Sequence, residues 1–414
     1  MMDSRTTQGA LRDWIAILVM LSSAPTLALI FTAMSPVLPL IARHFSASGP
    51  PIVIPALGLT VDGALFAQLI ATLPSIGLML GGGPTGLAID RFGARSVLIA
   101  ALLAFALVGS AGAYVESALL LLASRFALGF AAVGCGSATI WLIGARFSDH
   151  GRARALSFRN LAGGVGGLVS TIAAGLVGSR FGWHGAFGLY LLPLAIIPFA
   201  LLSLPAYTPA SRGSQIEAPK DSLRHLWPIF FMVLALAVVM MMNTTQFSFL
   251  LTDNGIVSPK DQSHVMVVGS MTVMAGSLGY ALIGPRLSLR WNYSLIAGAL
   301  GLGVATSGLS HDALVASIGG GLTGFGAGMS VPHFTRLVLE RAPAAARGRA
   351  VGLNYSALYL GDFLNPVIVH PLAVAIGIHQ AFRLIGGVVA ATALQVVLPR
   401  RGSFRQSAPV EGSS

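Results

Sequence analysis

The feature that most constrains this chain is a succession of apolar stretches, most of them about 20 residues long, separated by short polar or charged breaks. In hydrocarbon every backbone N–H and C=O must be satisfied within the segment, so such stretches predict spanning helices rather than open sheets. Of the 414 residues, 55% are hydrophobic and only 9% are charged, a balance that a water-soluble domain of this length could not bury. The sequence therefore predicts an all-α membrane protein.

Twelve transmembrane helices are predicted, in two groups of six. The first group lies near residues 14–40, 62–86, 96–114, 117–144, 155–178 and 185–204. The second group lies near residues 226–252, 264–285, 292–310, 313–338, 350–376 and 379–399. A polar stretch rich in Pro, Ser and Gly separates the groups. We therefore divide the chain into an N-terminal half (1–204), a cytoplasmic linker (205–225), a C-terminal half (226–400) and a cytoplasmic tail (401–414).

The net charge of +11 follows the predicted topology rather than pointing to a nucleic acid partner. With the N-terminus inside, 20 of the 25 Lys and Arg residues fall on the cytoplasmic side, Arg159 among them. Short cytoplasmic loops are enriched in Lys and Arg, and an odd number of spans would destroy this asymmetry. We expect a multi-pass protein of the cell inner membrane with both termini in the cytoplasm.

An internal repeat appears when the chain is compared with itself at an offset of 195 residues. Ten identities occur over the 38 positions from 129 to 166, and they include the pairs Arg146/Arg341, Arg152/Arg347 and Arg154/Arg349. The fourth and fifth spans thus correspond to the tenth and eleventh. Two six-helix pseudo-repeats are the architecture of transporters whose halves rock about a site at the bilayer midplane.

The loop between the second and third spans, residues 86–95, reads GLAIDRFGAR. It resembles the signature loop of the major facilitator superfamily (MFS), Gly-x-x-x-Asp-Arg-x-Gly-x-Arg, so its candidate gating residues are Gly86, Asp90, Arg91, Gly93 and Arg95. We expect Gly86 to permit close helix approach and Gly93 to allow a tight turn. Asp90 can face the positive end of a neighbouring helix, which in the family is the eleventh span, here beginning near Ala350. The alternative is an ordinary positively charged cytoplasmic loop.

Two other segments extend the resemblance over nearly the whole chain. Arg125, followed four residues later by Gly129, is similar to the family's fourth-span motif, and residues 343–352 look like the second-half counterpart of the loop. The resemblance implies the twelve-helix MFS fold, and the first half is similar to drug/proton antiporters. The chain departs from those antiporters in the fifth span, where the glycines of residues 163–167 are not followed by a proline.

Proton coupling is assigned to Asp362 and Arg125. Asp362 lies about midway along the eleventh span and shares a polar face with Asn354 and Asn365. A carboxylate removed from water favours its neutral form, which makes Asp362 a candidate proton carrier. An arginine within a span is costly and usually faces a cavity or a partner, so Arg125 is a candidate for coupling or anion binding. The alternatives are a structural, hydrogen-bonded Asp362 and an Arg125 that snorkels to the outer interface.

A substrate cavity is predicted from polar and deformable side chains in the second half. The candidate lining residues are Asn243, Thr244, Gln246, Met329, His333, Asn354, Tyr355 and Asn365. The alternative is that these side chains make hydrogen bonds between helices or face lipid.

Several function classes are excluded at this level. Only two lysines occur and neither lies in a P-loop, which argues against nucleotide binding and ATP-driven transport. No enzyme motif is present, and the single cysteine, Cys135, excludes an internal disulfide. We expect a monomeric secondary transporter in the lipid bilayer that exports a small organic solute, with the proton gradient as energy source and no cofactor or metal. The alternatives are a proton symporter that imports an organic anion and a membrane sensor that does not transport.

Overall fold

The computed structural model describes residues 4–47, 52–54, 59–205 and 220–397, and all structural statements refer to these ranges. The predicted tail (401–414) and most of the predicted linker (205–225) lie outside the described residues. The helices of the first half are α1 (Ser4–Thr32), α2 (Leu38–Ala47), α3 (Gly63–Phe92), α4 (Ala94–Gly109), α5 (Ala118–Arg146), α6 (Asp149–Gly188) and α7 (Ile196–Ser203). Those of the second half are α8 (Trp227–Thr245), α9 (Phe247–Asp253), α10 (Pro259–Ile283), α11 (Leu289–Gly308), α12 (Ala313–Arg341), α13 (Arg347–Ile376) and α14 (Ile378–Val397).

The all-α fold class is confirmed, with one small ribbon in the break between α2 and α3. Strand β1 (Ile52–Ile54) pairs antiparallel with β2 (Leu59–Val61). Both segments are rich in β-branched residues, which favour extended backbone, and both fall in a break between predicted spans. The rest of the regular structure in the described ranges is helical.

The helices bend or break at two places that their residues explain. The first span breaks into α1 and α2 around the 3-10 turn Ser35–Val37, where Pro36 removes a backbone donor from the helical pattern. Within α6 the backbone leaves helical geometry at Gly182, which has a φ of 66°. A positive φ favours glycine, so Gly182 marks the place where the predicted fifth and sixth spans are joined.

The same helix pairs pack together in each half. In the first half α3 and α4 pack against α5, and α1 packs against α6. In the second half α10 and α11 pack against α12, and α8 packs against α13. A Cβ on Gly129 would collide with the carbonyl oxygen of Pro74, and one on Gly324 with that of Gly269. These two close approaches are related by the same 195-residue offset that relates the sequences.

The hydrogen bonds between the two halves in the described ranges lie toward one end of the bundle. We call the end that carries Asp62 the far end and the end that carries Gly93 the motif end. At the far end the Ser35 hydroxyl donates to the carbonyl oxygen of Thr244 (2.6 Å), and His370 Nε2 lies 2.9 Å from Asp62 Oδ2. At the motif end, a Cβ on Gly86 or on Gly352 would meet no atom within 4 Å. The bundle is therefore closed at the far end and open at the motif end.

The described part of the chain contains nine helical stretches that are long and apolar enough to cross a membrane. A shorter apolar helix, Ile378–Leu394, follows them. Large apolar side chains such as Leu107 and Leu202 remain exposed on the outside of the bundle. An apolar outer surface of this kind is suited to lipid rather than water.

Candidate functional site

The turn of the candidate gating motif has the predicted geometry. Gly93 ends α3 and begins α4 with a φ of 81°, and its N–H donates to the carbonyl oxygen of Ile89 (2.9 Å). Arg95 donates to the carbonyl oxygen of Leu201 in α7 (2.8 Å), so it ties α4 to the end of the first half. The guanidinium of Arg91 lies over the ring of Phe92, with 5.3 Å from Cζ to the ring centroid.

The predicted contact of this motif with the eleventh span is absent from this conformation. Asp90 is exposed and makes no hydrogen bond or ion pair within the described ranges, although α13 begins at Arg347 as the prediction requires. Gly86 faces open space and does not lie against another helix. The physical reason is the separation of the halves at the motif end, so a role of Asp90 and Gly86 as a latch stays a prediction for a conformation closed at that end.

Arg125 is buried inside the first half and lies away from Asp362. Its Nη2 donates to the carbonyl oxygens of Val108 (2.9 Å) and Gly109 (2.5 Å), the last residues of α4. The rings of Phe187 and Tyr190 enclose the guanidinium at 4.7 and 5.1 Å. A cation at the C-terminal carbonyls of a helix caps that helix and is attracted by its dipole. The structure thus shows neither a cavity-facing nor a snorkelling Arg125.

Asp362 lies at the middle of α13, with its side chain in a cavity of about 260 Å³. It is only 8% exposed, and within the described ranges its carboxylate has no hydrogen-bond or ion-pair partner. The predicted Asn243 and Thr244 share this cavity. The other lining residues are Phe31, Met240, Met241, Val273, Thr323, Gly324, Ala327, Val331 and Leu358.

Gln246 and Asn365 belong to a buried hydrogen-bond network beside the cavity, not to its lining. The Thr245 hydroxyl donates to Asn365 Oδ1 (2.7 Å), and Asn365 Nδ2 donates to the carbonyl oxygen of Val238 (2.6 Å). Gln246 Nε2 donates to Gln68 Oε1 of the first half (3.3 Å). This network joins α8 to α13 and the second half to the first, which matches the alternative of hydrogen bonds between helices.

The remaining candidate residues of α12 and α13 lie apart from this cavity. Met329 is buried in the core of the second half, and the buried ring of His333 packs against Tyr280, with its Nδ1 unpaired. Asn354 is also buried, and its Oδ1 has no hydrogen-bond partner in the described ranges. Tyr355 is half-buried next to Tyr359, with 6.2 Å between their ring centroids.

The structure corrects the assignment of Arg159 to the cytoplasmic side. Arg159 is the eleventh residue of α6, is only 8% exposed, and donates from Nε to the Ser23 hydroxyl of α1 (3.0 Å). Its guanidinium interacts electrostatically with Tyr355 and Tyr359 of α13 across the boundary between the halves. The sequence signal that could have found it is the offset of 195 residues, which pairs Arg159 with the polar Asn354 of the eleventh span.

Comparisons with known proteins agree on one family. The sequence profile described as Major Facilitator Superfamily matches residues 20–366. The niacin transporter NiaP of Acinetobacter baylyi is 24% identical over 371 residues, which cover 80% of this chain and 84% of the relative. The cis,cis-muconate transport protein of the same organism is 24% identical and covers 77% of this chain and 81% of its own. The multidrug efflux pump Tap of Mycolicibacterium fortuitum is 25% identical, over only 57% of this chain and 59% of the pump.

Solved structures with little sequence identity share the fold. A D-xylose-proton symporter superposes with a TM-score of 0.70 at 15% identity and covers 92% of this chain and 97% of its own. The human organic anion transporter MFSD10 (TETRAN) superposes with a TM-score of 0.61 at 18% identity, covering 92% and 99%. At these identities the likeness shows the architecture alone.

Proposed function

The chain belongs to the major facilitator superfamily, and from this premise we propose that it is a proton-coupled secondary transporter of a small organic solute, working by alternating access. The observation that carries the proposal is Asp362, an unpaired and almost fully buried carboxylate at the middle of α13. An ionisable side chain within the membrane is expensive to keep, and such residues mark ion and substrate pathways.

We propose twelve membrane crossings arranged as two six-helix repeats. The 50-residue apolar stretch Arg154–Ser203 is interrupted at Gly182 and accounts for two crossings. The other eight apolar stretches account for one crossing each, and the 20-residue helices α11 and α14 account for the last two. The matching helix pairs of the two halves support the repeat. The Arg-rich motif end is assigned to the cytoplasm, which places both termini there, and the chain acts as a monomer in the inner membrane.

The direction of transport has two candidates. Export is supported by the resemblance of the first half to drug/proton antiporters and by the partial match to Tap. Proton symport of an organic anion into the cell is supported by Arg159, a buried cation that faces the second half. It also agrees with the niacin and muconate transporters, which match over at least three quarters of the chain. The burial of Arg159 near α13 supports it, rather than Arg125, as the cation that an anion requires.

The test begins with a melting-temperature screen of neutral, cationic and anionic solutes on the purified protein, because any solute that binds the folded state stabilises it. Transport of a stabilising solute is then measured in proteoliposomes for wild type and Asp362→Asn. We expect Asp362→Asn to abolish accumulation driven by a proton gradient and to retain counterflow, because an amide mimics the protonated acid but cannot exchange a proton.

Two outcomes would contradict this role of Asp362. Wild-type accumulation in Asp362→Asn would remove it as the proton site. Equal loss of accumulation and counterflow, with a lower melting temperature, would identify a structural residue instead. Asp261→Asn, which changes an exposed aspartate in the first turn of α10, is the matched control, and we expect it to keep gradient-driven accumulation.

A further inference from the structure

A buried guanidinium with unused donors lies at the boundary between the halves. Arg159 is 8% exposed, and its bond from Nε to Ser23 is the one hydrogen bond of its side chain within the described ranges. Nη1 and Nη2 of Arg159 are not fully buried. Nη1 of Arg125, in contrast, is fully buried and has no hydrogen-bond partner in the described ranges. The outer edge of the Arg159 fork is therefore open to a ligand.

The surroundings of this fork come from three other helices. Ser23 lies on α1, Gly136 on α5, and Tyr355 and Tyr359 on α13. A Cβ on Gly136 would lie 3.7 Å from Nη2, so the bare backbone of α5 borders the guanidinium. Gly136 is ten residues from the end of α5 at Arg146, or about 15 Å along the helix. The group therefore lies deep in the bundle, at the boundary between the halves.

The chemistry of the Arg159 guanidinium favours a carboxylate as its ligand. A guanidinium presents planar, parallel N–H donors that match the two oxygens of a carboxylate. A cation removed from water without a counter-charge is costly, so an anion that fills the open edge is favoured. The hydroxyls of Tyr355 and Tyr359 are further donors to an anionic group, whereas the Ser23 hydroxyl already donates to the carbonyl oxygen of Met20 (3.2 Å). No carboxylate within the described ranges pairs with Arg159.

We propose that Arg159, held through Nε by Ser23 and assisted by Tyr355 and Tyr359, binds the carboxylate of a small organic anion that this transporter carries. This assignment of a substrate class rests on the proposed transport function. It gives Arg159 the role of a substrate-binding residue and leaves proton binding to Asp362.

A charge balance links the two residues. Tyr359 interacts electrostatically with both Arg159 and Asp362, and it precedes Asp362 by three residues on α13. Within the cavity of Asp362, α1, α8 and α12 contribute Phe31, Asn243 and Thr323 and no ionisable side chain. When Asp362 is ionised and no anion is bound, the positive Arg159 and the negative Asp362 sum to zero. After a monocarboxylate binds, the site is neutral again only if Asp362 has taken up one proton.

Both forms that cross the membrane are then neutral, which predicts electroneutral symport of one proton with one monocarboxylate. The proton binds a carboxylate oxygen of Asp362 on loading and leaves from the same atom after the anion is released. No bond of the solute breaks.

The first experiment measures binding to the purified protein through its melting temperature, with niacin and benzoate as carboxylate probes and nicotinamide and benzamide as their neutral matches. We expect the carboxylates, and not the amides, to raise the melting temperature of wild type. Arg159→Gln should weaken carboxylate binding about 10- to 100-fold, the range for loss of a hydrogen bond to a charged group. Arg154→Gln is the matched control, since it removes an exposed arginine of the same helix and should bind as wild type does.

Arg159→Lys keeps the charge without the fork and should bind with intermediate affinity, which keeps the test valid if Arg159→Gln fails to fold. Wild-type carboxylate affinity in Arg159→Gln would overturn the assignment. Binding of the amides and not the carboxylates to wild type would also overturn it. If a proton gradient drives accumulation of a neutral solute, the carboxylate substrate class is refuted but proton-coupled transport is not. The absence of any gradient-driven accumulation would refute the proposed function itself.

The second experiment separates the two components of the driving force in proteoliposomes. We expect niacin to accumulate when a pH difference is imposed without a membrane potential. We expect no accumulation when potassium and valinomycin impose a membrane potential without a pH difference. Accumulation driven by the potential alone would contradict the charge balance between Arg159 and Asp362.

Discussion

At the residue scale, two buried arginines of the first half differ in what their terminal nitrogens contact. Nη2 of Arg125 is bonded to two backbone carbonyl oxygens at the end of α4, and aromatic rings enclose the group. The terminal nitrogens of Arg159 make no hydrogen bond within the described ranges and face α13. The same side chain therefore closes a helix end at one position and is available to a ligand at the other.

Arg125→Lys is expected to destabilise the protein without changing proton coupling. A lysine cannot both donate to the two carbonyl oxygens and stack on the aromatic rings. Hydrogen bonds to a charged group are worth about 1.5–3 kcal/mol each. The melting temperature should fall, whereas the ratio of gradient-driven accumulation to counterflow should stay at the wild-type value. Arg95→Lys is the control, because Arg95 also donates to a backbone carbonyl but is less buried. An unchanged melting temperature with lost coupling would instead support the coupling role predicted from the sequence.

At the element scale, two long helices begin with an aspartate cap, and only one of the caps also joins the halves. Asp62 accepts from the N–H of Leu65 at the start of α3 (2.7 Å), and Asp312 accepts from that of Val315 at the start of α12 (2.9 Å). Asp62 also contacts His370 of α13. The side chain of Asp62 therefore both caps the first turn of α3 and contributes to the closure of the far end.

Asp62→Ala should therefore loosen the far end, whereas Asp312→Ala should not. Each substitution removes a cap worth about 0.5–2 kcal/mol, but only the first removes a contact between the halves. A single cysteine at Ser35, in a Cys135→Ser background, reports on the far end because Ser35 is buried there against Thr244. Faster labelling in Asp62→Ala than in Asp312→Ala is the expected result. Equal rates in the two variants would show that the contact of Asp62 with His370 does not hold the far end closed.

At the scale of the whole molecule, one end of the bundle is sealed and the other is open. The far end joins the halves through Ser35, Asp62 and Gln246, while Gly86 and Gly352 at the motif end face open space. Alternating access requires the opposite arrangement as well, in which Asp90 and Gly86 approach α13. The exposed Asp90 is consistent with a latch that is not engaged in this conformation.

The proposed topology predicts from which side single cysteines react. In the Cys135→Ser background, Phe92→Cys and Trp291→Cys lie at the motif end, and Tyr114→Cys and Leu309→Cys lie at the far end. All four positions are exposed. A membrane-impermeant maleimide should label the first pair only in everted vesicles and the second pair only in right-side-out vesicles. Labelling of Phe92→Cys and Trp291→Cys from opposite sides would require an odd number of crossings between them and would refute twelve spans.

Some features of this protein follow from its sequence because they depend on local physics. Apolar length determines the spanning helices, since each must satisfy its own backbone in lipid. The tight turn at Gly93 and the position of Asp362 in the middle of its helix were predicted in the same way. The family followed from the motif of residues 86–95, whose spacing is itself a local property.

Only the tertiary structure decided which polar side chains meet. The sequence placed the start of the fifth span near residue 155, but α6 begins at Asp149, so Arg159 lies about 15 Å along the helix instead of at the membrane surface. Whether a buried arginine meets carbonyl oxygens or open space depends on how its helix is rotated against its neighbours. That rotation is determined by side-chain packing between segments distant in sequence, and for this reason the sequence did not reveal that Arg125 bonds to the end of α4 or that Arg159 is buried.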